Sequence, residues 1–140
     1  VAALLLLFCI RCVIQLWAYA RAIASGALHA DIDQMLRLLG IREKFQIIVA
    51  ADDVEHSKPD PTTYAMAFDK LAAKHPDAEL SPDTTLAIED TGAGLQSAIG
   101  AGLQTLALQT TSPPKVLQHA GRVIEDLSGV TLATLNKWYG

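Results

Sequence analysis

LAIEDTGAGLQSAIGAGL, residues 86–103, combines a short apolar run, an acidic pair and a series of small residues. Residues 85–88 are typical of a buried strand, and this strand delivers Glu89 and Asp90 at its carboxyl end. The small residues that follow Thr91 favour a helix that packs closely against that strand. A strand followed directly by such a helix is typical of a layered α/β domain with a mainly parallel sheet.

Strand and helix patterns alternate on both sides of this unit. Further strands are predicted at residues 20–24, 46–50, 103–108 and 122–124, from short β-type runs. Helices are predicted at residues 28–39, 60–75, 113–120 and 132–139, from apolar residues at helical spacing. The sequence therefore predicts a mainly parallel sheet flanked by helices, whose ligands bind at the carboxyl ends of the strands.

Composition excludes several classes of protein. The chain has 140 residues, of which 51% are hydrophobic and 19% charged, so it can bury an ordinary core. Its formal net charge is −4, and the sequence lacks the basic stripe that binding to nucleic acid requires. Two cysteines cannot form a disulfide framework, and a cytoplasmic location follows as the expectation.

Residues 1–20 form an apolar segment that invites a membrane or signal-peptide interpretation. Arg11 and Gln15 interrupt it, and the uninterrupted apolar part is shorter than the ~20 residues that a membrane span requires. We interpret the segment as a buried helix that leads into a buried strand, and not as a membrane span. Cys9 and Cys12 form a CxxC pattern, but no second pair completes a zinc site, so they are interpreted as small buried hydrophobes.

A hydroxyl, an ammonium group and two carboxylates follow the predicted strand ends. Glu89 and Asp90 repel one another unless a cation lies between them, and hard oxygen ligands favour Mg²⁺. Lys58 would place a positive charge on a phosphoryl group, while Ser25 and the amide of Gly26, at a helix start, would donate to another oxygen. Taken singly, a serine here caps a helix and an acidic pair is solvated surface. The joint placement at strand ends favours a phosphate and metal site.

Three segments resemble a known family. Ser25 in IASGALHADI, Lys58 in SKPDPTTY and Glu89-Asp90 in LAIEDTGAGLQSAIGAGL resemble the second, third and fourth motifs of the haloacid dehalogenase-like hydrolases. Lys58 lies 33 residues after Ser25, and Asp90 lies 32 residues after Lys58, which suits a strand–helix–strand unit between motifs. The resemblance covers residues 22–123 and is nearest to the β-phosphoglucomutase and phosphoglycolate phosphatase group.

The resemblance implies a Rossmann-like sheet and Mg²⁺-dependent phosphoryl transfer, as in a phosphatase or phosphomutase, on a small phosphorylated metabolite. Ser25 and Gly26 would bind the phosphoryl group, and Lys58 would be the catalytic cation that neutralises it. Glu89 and Asp90 would hold the metal, Asp90 more directly. In such chemistry, positioning and charge neutralisation account for most of the catalysis.

The family's first motif, a DxDxT segment after the first strand, is absent from this sequence. Asp31-Ile32-Asp33 imitates its start but lies inside a predicted amphipathic helix and follows Ser25. The family's cap domain, which selects the substrate, is also missing. We therefore interpret residues 21–140 as the C-terminal part of the core domain, and residues 1–20 as a segment of uncertain role.

The missing motif implies a sheet that is incomplete on its N-terminal side. The strands that end at Ser25 and Glu89 would face a gap, and would then pair with each other, self-associate through their exposed edges, or promote aggregation. The chain alone is expected to be inactive.

The sequence leaves one alternative function open and argues against another. A non-catalytic binding module that retains the metal and phosphate half-site is the alternative from a different class. A dinucleotide site at Gly92–Ser97 fails because Ser97 replaces the third glycine and residues 109–118 contain no acidic residue.

Overall fold

A parallel sheet of six strands forms the centre of the part of the chain that the computed structural model describes, residues 3–6 and 20–140. The strands are β1 (Ala3–Leu6), β2 (Ala20–Ala24), β3 (Ile47–Val49), β4 (Thr85–Glu89), β5 (Gln104–Leu108) and β6 (Arg122–Ile124). Their order is β3-β2-β1-β4-β5-β6, and every neighbouring pair is parallel. The predicted Rossmann-like fold class is confirmed.

The central position in the sheet is occupied by β1. Leu4 pairs with Arg21 of β2 on one side and with Leu86 of β4 on the other. The expectation of a gap between β2 and β4, and of direct pairing between them, is therefore wrong. A parallel neighbour needs only an extended backbone in register, and an apolar run provides one without carrying any catalytic residue. Self-association stays a prediction.

The interpretation of residues 1–20 as a helix that leads into a strand is wrong for Ala3–Leu6, which form a strand. A short continuous apolar run does not distinguish a strand inside a parallel sheet from a buried helix. The CxxC pattern of Cys9 and Cys12 lies outside the described residues. Within the ranges 3–6 and 20–140, no helix has the length and apolarity that crossing a bilayer demands.

Helices cover both faces of the sheet. They are α1 (His29–Leu38), α2 (Thr62–Lys74), α3 (Gly92–Gly100), α4 (Pro114–Leu117) and α5 (Leu132–Tyr139). On one face, the large strand residues Ile23, Leu86 and Ile88 pack with α1 and α5. On the other face, the small residues Ala22 and Ala87 pack with α2 and α3. The small residues let α2 and α3 lie close to the sheet, on the side that holds the candidate site.

Candidate functional site

The predicted site residues lie at the carboxyl edge of the sheet, as expected. Ser25 directly follows β2, and Lys58 lies in the loop between β3 and α2. Glu89 is the last residue of β4, and Asp90 comes directly after it. The central strand β1 separates β2 from β4, so the residues that follow these two strands stand on either side of its carboxyl end.

Lys58 and Glu89 form a buried ion pair. The Lys58 side chain is 10% exposed and the Glu89 side chain is 0% exposed. The Lys58 ammonium donates to Glu89 Oε1 and, at 3.0 Å, to the carbonyl oxygen of Ala24. Glu89 Oε1 also accepts the Tyr64 hydroxyl at 2.7 Å, and Oε2 accepts the Thr91 hydroxyl at 3.2 Å. Both oxygens of this carboxylate are therefore engaged, and its charge is compensated by Lys58.

These contacts give Glu89 a role as the partner of Lys58. The expectation that Glu89 also holds a metal stays a prediction. A buried carboxylate requires both a nearby cation and hydrogen-bond donors. The cation comes from the loop before α2, and the donors come from α2 and from Thr91, just before α3.

Gly94 of α3 makes room for the Glu89 carboxylate. A Cβ atom at position 94 would lie 2.0 Å from Glu89 Oε2 and 2.1 Å from its Cδ. Burial raises the pKa of Tyr64 well above its usual value, and the negative charge of Glu89 raises it further. Tyr64 therefore keeps its proton and acts as a donor to Glu89.

Asp60 and Ser97 hold the loop that carries Lys58. The Ser97 hydroxyl, buried in α3, donates to the Asp60 carbonyl oxygen at 2.6 Å. Asp60 Oδ1 accepts the Thr62 backbone N–H at 2.9 Å, which fixes the start of α2. Hydrogen bonds from the hydroxyl and the backbone N–H of Thr62 lower the pKa of Asp60 below its usual value. The loop is therefore tied to α3 on one side and to α2 on the other.

Asp90 carries the one carboxylate oxygen in the described residues that is buried without a hydrogen-bond partner, Oδ1. Its Oδ2 accepts the Thr111 hydroxyl and, at 3.5 Å, the Thr110 hydroxyl. Its backbone oxygen accepts the Ser112 N–H at 3.2 Å. A buried, unpartnered carboxylate oxygen fits a hard cation such as Mg²⁺. Residues 3–6 and 20–140 contain no cluster of three metal-ligating side chains, so water would complete much of the coordination.

Ser25 and Gly26 lie in a turn before α1. The Ser25 hydroxyl oxygen accepts the Ala27 N–H at 3.1 Å. The expectation that the Gly26 amide lies at a helix start is wrong, because α1 begins at His29 with Leu28 as its N-cap. The Ser25 side chain bonds to its own turn and not to the first turn of a helix. Its O–H hydrogen is not used in this turn.

Sequence analysis missed three residues that contact Glu89 or the loop of Lys58. Tyr64 was not singled out as a site residue within the helix predicted at residues 60–75, and Ser97 was noted only as the residue that spoils a dinucleotide motif. Gly94 was grouped with the small residues of α3. The available signal was that Gly94 and Ser97 lie three residues apart, and therefore on the same face of α3.

A family model described as haloacid dehalogenase-like hydrolase matches residues 14–108. This range covers more than half of the chain and includes Ser25, Lys58, Glu89 and Asp90.

Relatives with assigned activities show the same likeness. The chain is 31% identical over 98 residues to validoxylamine A 7'-phosphate phosphatase of Streptomyces hygroscopicus subsp. limoneus. This match covers 70% of this chain and 43% of that protein. The chain is 30% identical over 96 residues to the fructose-1-phosphate phosphatase YqaB of Escherichia coli (strain K12). This match covers 67% of this chain and 47% of that protein. The chain thus spans less than half the length of these two relatives.

Solved structures agree with these matches. CbbY from Rhodobacter sphaeroides in complex with phosphate superposes with a TM-score of 0.68 at 28% identity, over 85% of this chain and 52% of that one. The β-phosphoglucomutase of Clostridium difficile superposes with a TM-score of 0.70 at 21% identity, over 86% of this chain and 49% of that one, and shows the fold alone. The family model, the relatives and the fold agree, and the chain belongs to the haloacid dehalogenase-like hydrolases.

Proposed function

We propose that the carboxyl edge of this sheet binds the phosphoryl group of a small phosphorylated metabolite together with Mg²⁺, as part of a phosphatase or phosphomutase site. The observation that carries the proposal is the geometry of Lys58. Its ammonium has three N–H donors, of which Ala24 O and Glu89 Oε1 accept two. No acceptor among residues 3–6 and 20–140 takes the third, which can donate to a phosphoryl oxygen at the 10% of the side chain that is exposed.

The role of Lys58 determines the roles proposed for the other site residues. The Ser25 hydroxyl and the Gly26 N–H, in the turn after β2, donate to further phosphoryl oxygens. Glu89 fixes the direction of Lys58. Asp90, whose Oδ1 is buried without a hydrogen-bond partner, would hold the metal. When bound, Mg²⁺ supplies positive charge that offsets the charge of the phosphoryl group.

The substrates of the two related phosphatases support the substrate class. Validoxylamine A 7'-phosphate and fructose 1-phosphate are both small phosphate monoesters with many hydroxyl groups. We propose a substrate of that class and a cytoplasmic location.

Only residues 7–19 separate β1 from β2, and a segment of this length is too short to form a cap domain between the two strands.

This chain also lacks a nucleophile where the family resemblance places one. Leu7 and Phe8 follow β1, and no acidic residue precedes Asp31. We therefore propose that residues 1–140 bind phosphate without hydrolysing its esters. The same absence favours the alternative of a non-catalytic binding module that retains the half-site.

The phosphate site is tested by titrating inorganic phosphate into the unmodified chain by calorimetry, without metal. The double variant Lys58→Met/Glu89→Gln removes the cation without leaving a buried charge, and should weaken the affinity about tenfold or more. Lys74→Met, at the far end of α2 and exposed, removes the same charge and should leave the affinity unchanged. Equal losses in both variants would overturn the proposal.

Binding of Mg²⁺ alone is expected to be weak, with a dissociation constant of about 1 mM or higher, because water must supply most of the ligands. Asp90→Asn should abolish this binding. Asp69→Asn, which makes the same change at an exposed residue, should leave it unchanged. A micromolar affinity would show that a further side chain binds the metal, and would contradict this expectation.

Hydrolysis of an aryl phosphate in the presence of Mg²⁺ should not exceed the rate in buffer. The physical reason is that Lys58 and Ser25 can bind and neutralise the phosphoryl group, but neither replaces the missing aspartate. Turnover that Asp90→Ala abolishes would contradict this expectation.

A further inference from the structure

Tyr64 contacts both members of the Lys58–Glu89 ion pair. Its hydroxyl donates to Glu89 Oε1 at 2.7 Å, and its ring centroid lies 4.5 Å from the Lys58 ammonium. The side chain is fully buried in α2. The distance to the ring lies within the range of a cation–π contact.

The ammonium needs such support because a lysine side chain is long and its three N–H groups rotate freely. Two fixed acceptors, Ala24 O and Glu89 Oε1, are needed to aim the third N–H in one direction. The first acceptor is backbone of β2 and is already rigid. The second is a side-chain oxygen, which keeps its place only if the carboxylate cannot turn.

Tyr64 and the residues of α3 prevent that turn. The Tyr64 hydroxyl fixes Oε1, while the Thr91 hydroxyl fixes Oε2 and Gly94 lies against the carboxylate. Of these groups, only Tyr64 donates a hydrogen bond to the oxygen that Lys58 shares.

We propose that Tyr64 is a positioning residue that aims the Lys58 ammonium at the phosphoryl group, through its hydroxyl on Glu89 and its ring beneath Lys58. The proposal rests on the proposed function for its consequence in phosphate binding. The orientation of Lys58 itself is measurable without any ligand.

The first measurement follows the side-chain ammonium of Lys58 by NMR in a chain labelled with ¹⁵N-lysine. In the unmodified chain, we expect a separate ammonium signal with slow hydrogen exchange, identified by its loss in Lys58→Met/Glu89→Gln. Tyr64→Phe should broaden this signal and speed its exchange. Tyr139→Phe removes another tyrosine hydrogen bond, a partly buried one to the carbonyl oxygen of Thr105, and should leave the signal unchanged.

The same measurement can overturn the proposal. The proposal is overturned if, in the unmodified chain, the Lys58 ammonium exchanges its hydrogens as fast as the exposed lysines do. This result does not depend on whether Tyr64→Phe folds. An identical Lys58 signal in the unmodified chain and in Tyr64→Phe would also overturn the proposal.

The second measurement is a double-mutant cycle on phosphate affinity. Tyr64→Phe should weaken binding of inorganic phosphate about fivefold in the unmodified chain, and have no effect in the Lys58→Met/Glu89→Gln background. An equal effect in both backgrounds would overturn the positioning role. If the unmodified chain does not bind phosphate, the proposed function fails, and the NMR experiment still decides the role of Tyr64.

Discussion

Replacing Gly94 with alanine is expected to destabilise the domain by about 3–5 kcal/mol, the range seen when a buried ion pair is broken. The added Cβ would lie 2.0 Å from Glu89 Oε2, so the carboxylate must move. Since Glu89 is fully buried, it has no solvent to move into. Its displacement would break the hydrogen bonds to Tyr64 and Thr91 and leave Lys58 without its counter-charge.

The measurement is thermal unfolding followed by circular dichroism. At about 2–4 °C per kcal/mol, a loss of about 3–5 kcal/mol should lower the midpoint by roughly 6–20 °C. Gly26→Ala is the matched control, because a Cβ there meets no atom within 4 Å and its backbone does not require glycine. A midpoint for Gly94→Ala within a degree or two of that control would contradict the close packing of α3 on Glu89.

Lys58→Met is expected to cost about 3–5 kcal/mol of folding stability, although it replaces the apolar stem of the side chain with one of similar length. The loss arises because Glu89 would remain buried and charged without a cation. Glu89→Gln in the same chain removes that charge, and its amide can still accept the Tyr64 hydroxyl. The double variant should therefore be more stable than Lys58→Met alone.

Urea unfolding of both single variants and the double variant measures this coupling. The sum of the stability losses in the two single variants should exceed the stability loss in the double variant by about 2 kcal/mol or more. Additive losses would show that Lys58 and Glu89 do not compensate one another in the folded chain.

Much of the fold could be predicted from the sequence, because its signals are local. The strand at Ala20–Ala24 and the helix at Leu132–Tyr139 have their predicted bounds. The end of α1 before Gly40 was also predicted, and Gly40 has a φ of +65°, which favours glycine. Strand ends and motif spacing were sufficient to place the candidate site at one edge of the sheet.

Long-range contacts could not be predicted in this way. The position of β1 depends on pairing with strands far along the chain, whereas its own sequence, ALLL, has no strand-specific period. The turn at Ser25 differs from the expected helix start because the side chain bonds to Ala27, a local alternative that the sequence pattern leaves open. The hydroxyl of Tyr64 gains its role only from Glu89, 25 residues away.

The central place of β1 has a consequence for how the chain acquires its structure during synthesis. Leu4 pairs with Leu86, a residue 82 positions later in the chain. One side of the central strand therefore stays unpaired until most of the domain has left the ribosome, while β2 can join the other side early. Pairings between such distant strands form slowly because a long loop must close first. In that interval an apolar strand edge is open to other chains, so aggregation competes with folding until β4 arrives.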